Sequence, residues 1–144
     1  MIIDRENLHR QLIHDEGLRL KPYRCTAGKL TIGCGRNLDD VGITQKEAVF
    51  LLDNDITNAI HGLVVAHGDW FPPLDPVRQA VLVNMVINMG LPRFNGFKKL
   101  HAAIKVKDYD GAAVEMLSSR WAEQVGDRAL RLSEQMRTGR WILS

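Results

Sequence analysis

Glu16, Cys25 and Thr31 follow one another at the spacing E-x8-C-x5-T, which puts a carboxyl, a thiol and a hydroxyl on one short stretch of chain. A carboxyl that holds a proton can deliver it to a leaving group, a thiolate is a base or nucleophile, and a hydroxyl can align a water. Cleavage of a glycosidic bond needs a protonated carboxyl beside the leaving oxygen. In inverting enzymes it also needs a second group on the opposite face of the sugar ring to handle a water. By spacing alone the same residues also read as an ordinary glutamate at a helix end and a cysteine in a turn.

Other chemistries fit the chain less well. Gly33-Cys-Gly35 lacks the third glycine of a dinucleotide-binding loop, since Leu38 occupies that place, and no strand–helix–strand unit surrounds it. There is no phosphate-binding loop. His9, His14, His61, His67 and His101 never stand four apart, and Cys25 and Cys34 do not form a C-x-x-C pair, so no metal and no cofactor is expected. No motif around either cysteine supports a Cys-His protease.

The elements that must position the trio can be read from local signals. Asp4 caps a first helix in which Leu8, Leu12 and Ile13 recur at helical spacing, and Gly17 ends it, leaving Glu16 at the exit. Two strands are predicted next, Leu18 to Arg24 and Lys29 to Gly35, joined by Cys-Thr-Ala-Gly. A hairpin of this kind brings helix exit, turn and return strand to one cleft. Folding it about Thr26 and Ala27 sets Cys34 opposite residues near Arg19. At about 3.3 Å per residue this leaves Cys25 out of register for a bridge, and two free thiols are expected. Cys34, flanked by glycines, reads as a small packing residue.

Beyond the hairpin the pattern is helical. Thr44-Gln-Lys-Glu47 is a capping box for a long helix to about His67, with Ala48, Leu51, Leu52, Ile56, Ile60, Leu63 and Val64 as its apolar stripe. After the break Trp70-Phe-Pro-Pro-Leu, Asp75 and Pro76 start a helix that runs to Gly90 and is apolar nearly all round. Asn84 and Asn88 share a face of it and either line a polar cleft or hydrogen-bond inside the core. Shorter helices are predicted over Phe97–Lys107, Gly111–Ser118 and Asp127–Thr138. The fold class is α+β: a β-hairpin lobe over about 15–43, a connecting helix over about 44–67, and a helical lobe over about 70–144 that includes the N-terminal helix.

Composition agrees with one domain. The 144 residues are 45% hydrophobic and 25% charged, with a formal charge of +2, enough core for independent folding and too little clustered charge for nucleic acid. A small basic excess from Arg120 to Arg140 suits a polyanionic polymer such as a cell wall, or simply a solvated helix face. The first residues carry charges every few positions, unlike a secretory signal, and no run is long and apolar enough for a membrane span, so no stable membrane insertion is expected.

The run Asp15-Glu-Gly-Leu-Arg-Leu-Lys-Pro-Tyr23, followed by Gly28-x-x-Thr31-Ile-Gly-Cys-Gly35, resembles the phage-type lysozymes, the endolysins among the glycoside hydrolases. The likeness continues in order through Gly42-Ile-Thr-Gln-Lys-Glu-Ala48, Arg78-Gln-Ala-Val-Leu-Val-Asn84-Met-Val-Ile-Asn88-Met-Gly90, Ser119-Arg-Trp121 and Arg137-Thr-Gly-Arg-Trp141. The resemblance implies a lysozyme-like fold and a muramidase that cuts the β-1,4 bond between N-acetylmuramic acid and N-acetylglucosamine in peptidoglycan. Residue by residue it implies Glu16 as general acid and Cys25 and Thr31 as the groups that place or activate the water. Arg128 would support the acid from the helical lobe, with Tyr23, Asn84 and Asn88 as substrate contacts. It further implies a monomer without cofactor, made in the host cytoplasm. Release to the periplasmic wall would then depend on a separate pore protein.

Three departures bear on these expectations. Better-known members carry Asp where this chain has Cys25, and a thiol near a carboxylate is mostly protonated at neutral pH. Cys25 therefore acts as a thiolate base or nucleophile, or only shapes the water site, or marks an altered activity: a lytic transglycosylase, or a weak peptidoglycan-binding protein on the same scaffold. The stretch Arg36–Gly42 is short and is expected to lack the extra strand and small helix of larger members. Trp70, Trp121 and Trp141 read as core residues more readily than as sugar-stacking ones.

Overall fold

A computed structural model describes residues 1–143; Ser144, the end of the expected domain, lies outside the described residues. In chain order the elements are α1 (Arg5–Glu16), β1 (Arg19–Arg24), β2 (Leu30–Gly33), β3 (Arg36–Asn37), α2 (Gln45–His67), α3 (Pro76–Met89), α4 (Leu91–Asn95), α5 (Lys98–Lys105), α6 (Tyr109–Leu117), α7 (Arg120–Val125) and α8 (Asp127–Thr138). They group into two compact units, Met1–Leu51 and Leu52–Ser144, the division falling inside α2. A mainly helical chain with one small antiparallel sheet is the α+β, lysozyme-like class read from the sequence.

In the first unit the predicted caps are present. The Asp4 side chain accepts from the Asn7 N–H, and Gly17, at φ +74°, ends α1 by donating its N–H to the Ile13 carbonyl. Strands β1 and β2 pair antiparallel through Arg19↔Gly33, Tyr23↔Thr31 and Arg24↔Leu30. The register shifts between Arg19 and Tyr23, where Pro22 has no N–H to give the ladder. The strands are shorter than predicted and a third is present: β3 pairs Thr31↔Asn37 and Ile32↔Arg36. This corrects the expectation that the stretch from Arg36 adds no strand. Gly33 and Gly35, at φ +70° and +76°, reverse the chain between β2 and β3, a conformation that L side chains rarely adopt.

The capping box is formed in both directions: the Thr44 N–H donates to Glu47 Oε1 at 3.0 Å and the Glu47 N–H to Thr44 Oγ1 at 3.1 Å. Arg36 ties β3 to the same carboxylate at 3.0 Å and donates to the Gly42 carbonyl at 3.1 Å. The apolar stripe of α2 is a partial correction. Leu63 is buried, but Leu51, Leu52, Ile60 and Val64 stand on the surface. Periodicity finds the stripe without saying what covers it.

The second unit holds the core. Asp75 caps α3 by accepting from the Arg78 N–H, Pro76 opens the helix and Gly90, at φ +86°, closes it. Val81, Leu82 and Met85 have no exposure at all, which makes α3 the buried helix its composition predicts. Phe94, Leu100, Ile104, Met116, Trp121 and Met136 pack into the same core. The short helices α4 and α7 lie beyond what periodicity predicts, since five or six residues give too few turns for a pattern. Ser119 caps α7 by accepting from the Ala122 N–H. Trp70 and Trp121 are core residues as expected, whereas Trp141 is exposed.

Candidate active site

The end of α1 places Glu16 on the surface of the first unit, where its carboxyl lies against the backbone of Gly35 in the β2–β3 turn. Cys25 follows β1 directly. Its N–H donates to the Lys29 carbonyl at 2.9 Å, and the Gly28 N–H donates back to the Cys25 carbonyl at 2.8 Å, so a tight turn with Gly28 at φ +79° wraps the thiol. The Lys29 and Ala27 N–H groups donate to the sulfur and hold the thiol below its usual range. Burial works against them, and the Thr31 hydroxyl adds to the lowering. The turn backbone thus shifts the thiol toward its thiolate form.

Thr31 is the one buried residue among the first 51, at 3% exposure. Its hydroxyl donates to the Lys29 carbonyl at 2.8 Å. A hydroxyl has one proton. When Thr31 gives it to Lys29 its lone pairs accept from a thiol or a water, and when it turns to Cys25 it stabilises the thiolate. Tyr23 lies across the ladder from Thr31, half-buried, with the Arg19 guanidinium 4.3 Å over its ring. Cys34 corrects the expectation of a packing residue: it is an exposed free thiol, and Cys25 is free as well. Flanking glycines lift position 34 out on the turn instead of turning it inward.

In the second unit Arg128 and Asn84 form one assembly. Arg128 donates from Nε at 3.0 Å and from Nη2 at 2.6 Å, both to Asn84 Oδ1. The two line a cavity of about 580 Å³ whose other walls are largely apolar, with Ile56, Ile60, Phe71 and Val83 among them. Asn88 is engaged differently: its Oδ1 accepts the Trp121 indole N–H at 2.7 Å, which satisfies the one polar atom of a fully buried ring. Asn84 thus orients the Arg128 guanidinium at a largely apolar cavity, and Asn88 hydrogen-bonds into the core.

Among the described residues no group of three or more His, Cys, Asp or Glu side chains is arranged to hold a metal ion, and no helix is long and apolar enough to cross a membrane. The backbone groups of Ala27 and Lys29 that lower the Cys25 thiol are not revealed by side-chain motifs. The only sequence trace of them is Gly28, which makes the turn possible.

A family model described as phage lysozyme matches residues 14–137. A protein named probable T4-type lysozyme 2 from Dictyostelium discoideum is 29% identical, over 92% of this chain and 95% of its own. An endolysin of Acyrthosiphon pisum secondary endosymbiont phage 1 is 33% identical, over 78% of this chain and 77% of its own. The SAR-endolysin of Escherichia phage Mu is 32% identical, over 85% and 70%.

Proposed function

The chain belongs to the phage lysozyme family and is a glycoside hydrolase of the lysozyme type, and from that premise we propose that it cuts the β-1,4 linkage between N-acetylmuramic acid and N-acetylglucosamine in peptidoglycan. Glu16 delivers a proton to the glycosidic oxygen. Cys25, as thiolate, takes a proton from a water that Thr31 helps to align, and the resulting hydroxide attacks the anomeric carbon. Exchange with solvent then returns a proton to Glu16 and removes one from Cys25. Tyr23 and Asn84 are proposed to contact the glycan, and Arg128 to support the reaction electrostatically. As an endolysin the protein acts on the host wall once a separate pore protein has released it, as a monomer and without cofactor.

The observation that carries this reading is the Cys25 turn. Backbone hydrogen bonding from Lys29 and then Ala27 holds the thiol below its usual range, the direction a water-activating cysteine needs. The decisive experiment digests purified peptidoglycan and reads the fragments by mass spectrometry. Reducing muramic ends are expected, and anhydromuramic ends would instead identify a transglycosylase. Glu16→Gln is expected to abolish clearing of permeabilised cells while thermal stability holds. Cys25→Asp is expected to retain activity, and Cys25→Ala to lower it by about 100-fold, the usual scale for losing a general base. Unchanged lysis by Cys25→Ala would remove the thiol from the mechanism.

A further inference from the structure

Two glycines flank Cys34 in the turn closed by the Ile32↔Arg36 pair. They have nearly the same backbone conformation, φ +70° at Gly33 and +76° at Gly35, yet their surroundings differ. A Cβ added at Gly33 meets nothing within 4 Å. At Gly35 it comes to 3.0 Å from Glu16 Oε2, 3.3 Å from Cδ and 3.6 Å from Cγ. The whole carboxyl end of Glu16 therefore lies against the one face of residue 35 that a side chain of any other amino acid would occupy.

We propose that Gly35 is a positioning residue for the Glu16 carboxyl: its missing side chain leaves a seat on the β2–β3 turn in which the proton donor rests. The proposal rests on Glu16 being the general acid. Glu16 ends α1 and is exposed, so its own helix restricts its outer torsions little, and the wall formed by Gly35 limits where the carboxyl goes. A methyl group at position 35 would meet the far end of a flexible side chain, which can swing away at small cost to folding. Displacement of the acid by even an ångström, however, carries a large cost to the reaction. Low cost in stability with high cost in turnover separates a seat for the acid from an ordinary turn glycine.

Gly33 supplies the control, because Gly33→Ala and Gly35→Ala carry the same positive-φ strain and only the second reaches Glu16. Similar losses in melting temperature are expected for both. Gly33→Ala should keep kcat within about threefold of the parent, and Gly35→Ala should lower kcat about 100-fold with KM changed less than about threefold. In a Glu16→Asp background, where the shorter side chain withdraws from the seat, adding Gly35→Ala should cost less than about threefold. Independently of any variant's folding, the unsubstituted protein should show a nuclear Overhauser effect between the Gly35 Hα and Glu16 Hγ protons. Equal kcat for the two alanine variants, or absence of that effect, overturns the proposal. Full lysis by Glu16→Gln would instead overturn the assignment of the acid, and so the two failures are distinct.

Discussion

Every buried apolar side chain among the described residues lies between Ala59 and Met136, whereas residues 1–51 bury a single side chain, the hydroxyl-bearing Thr31. The second unit is held by a core, with Trp121, Phe94 and four leucine or isoleucine side chains nearly or fully inaccessible. The first is held by polar contacts and turns: Arg36 and Glu47 at 3.0 Å, Lys29 and Asp40 at 3.1 Å, the Leu30 N–H to Asp39 at 2.8 Å, and Asn37 bonded to Asp40 through both side-chain atoms. The unit that carries Glu16, Cys25 and Thr31 is thus the one with the least hydrophobic stabilisation. The chemistry proposed for Glu16 and Cys25 needs both groups within reach of solvent, and Glu16 is exposed and Cys25 partly so. A core of the second kind would bury them.

Substitutions can break or sharpen this contrast, and the largest effect is expected in the core. Trp121→Ala empties a site with 1% exposure and strips the Asn88 oxygen of its donor. Denaturant unfolding should show a loss of about 3–5 kcal/mol. A loss below about 1 kcal/mol would mean that the second unit does not depend on its core as drawn.

Acid should separate the two units in order. His101 is buried beside His67, Trp70 and Phe94, and its Nε2 has no partner among the described residues. Burial first, then the nearby His67 and Lys105, push its imidazole down to about 4. A base depressed in the folded state leaves stability intact above the unfolded value of 6.5 and erodes it as pH falls toward 4. Urea midpoints measured between pH 7 and 4 should fall accordingly, and His101→Phe should flatten the profile. Glu47 in the first unit is held at about 2 by Arg36, then by Thr44. Its contribution is present above 4.5 and goes only as pH falls toward 2. Hydrogen exchange should therefore show the amides of α5 loosening at a higher pH than those around Thr44.

A smaller effect is expected from Arg128→Lys, which loses the two-nitrogen grip on Asn84. A stability change of about 1 kcal/mol and a drop in lytic rate of about tenfold are expected; an unchanged rate would exclude Arg128 from catalysis. Glu47→Gln should be the mildest. Its partners are half exposed, where ion pairs contribute little. Melting should barely shift, while exchange of the Gly42 to Glu47 amides quickens and loses its sensitivity to salt.

Local signals made much of this protein legible. Asp4, Asp75 and the Thr44–Glu47 box cap the helices they were expected to cap, Gly17 and Gly90 end theirs, and α8 spans Asp127–Thr138 as read. Each of these depends on groups within three or four residues, so composition and spacing suffice. The order of motifs from Asp15 to Trp141 likewise carried the family. What spacing does not encode is a partner far along the chain. Only the folded structure decided that Asn84 meets Arg128, 44 residues on, and that Asn88 meets Trp121, 33 residues on. It also decided that Thr31 is buried, that the α2 stripe is largely exposed, and that the Lys29 and Ala27 amides turn toward Cys25. Burial and ionisation belong to the assembled surroundings of a group, and those exist only once distant segments have closed around it.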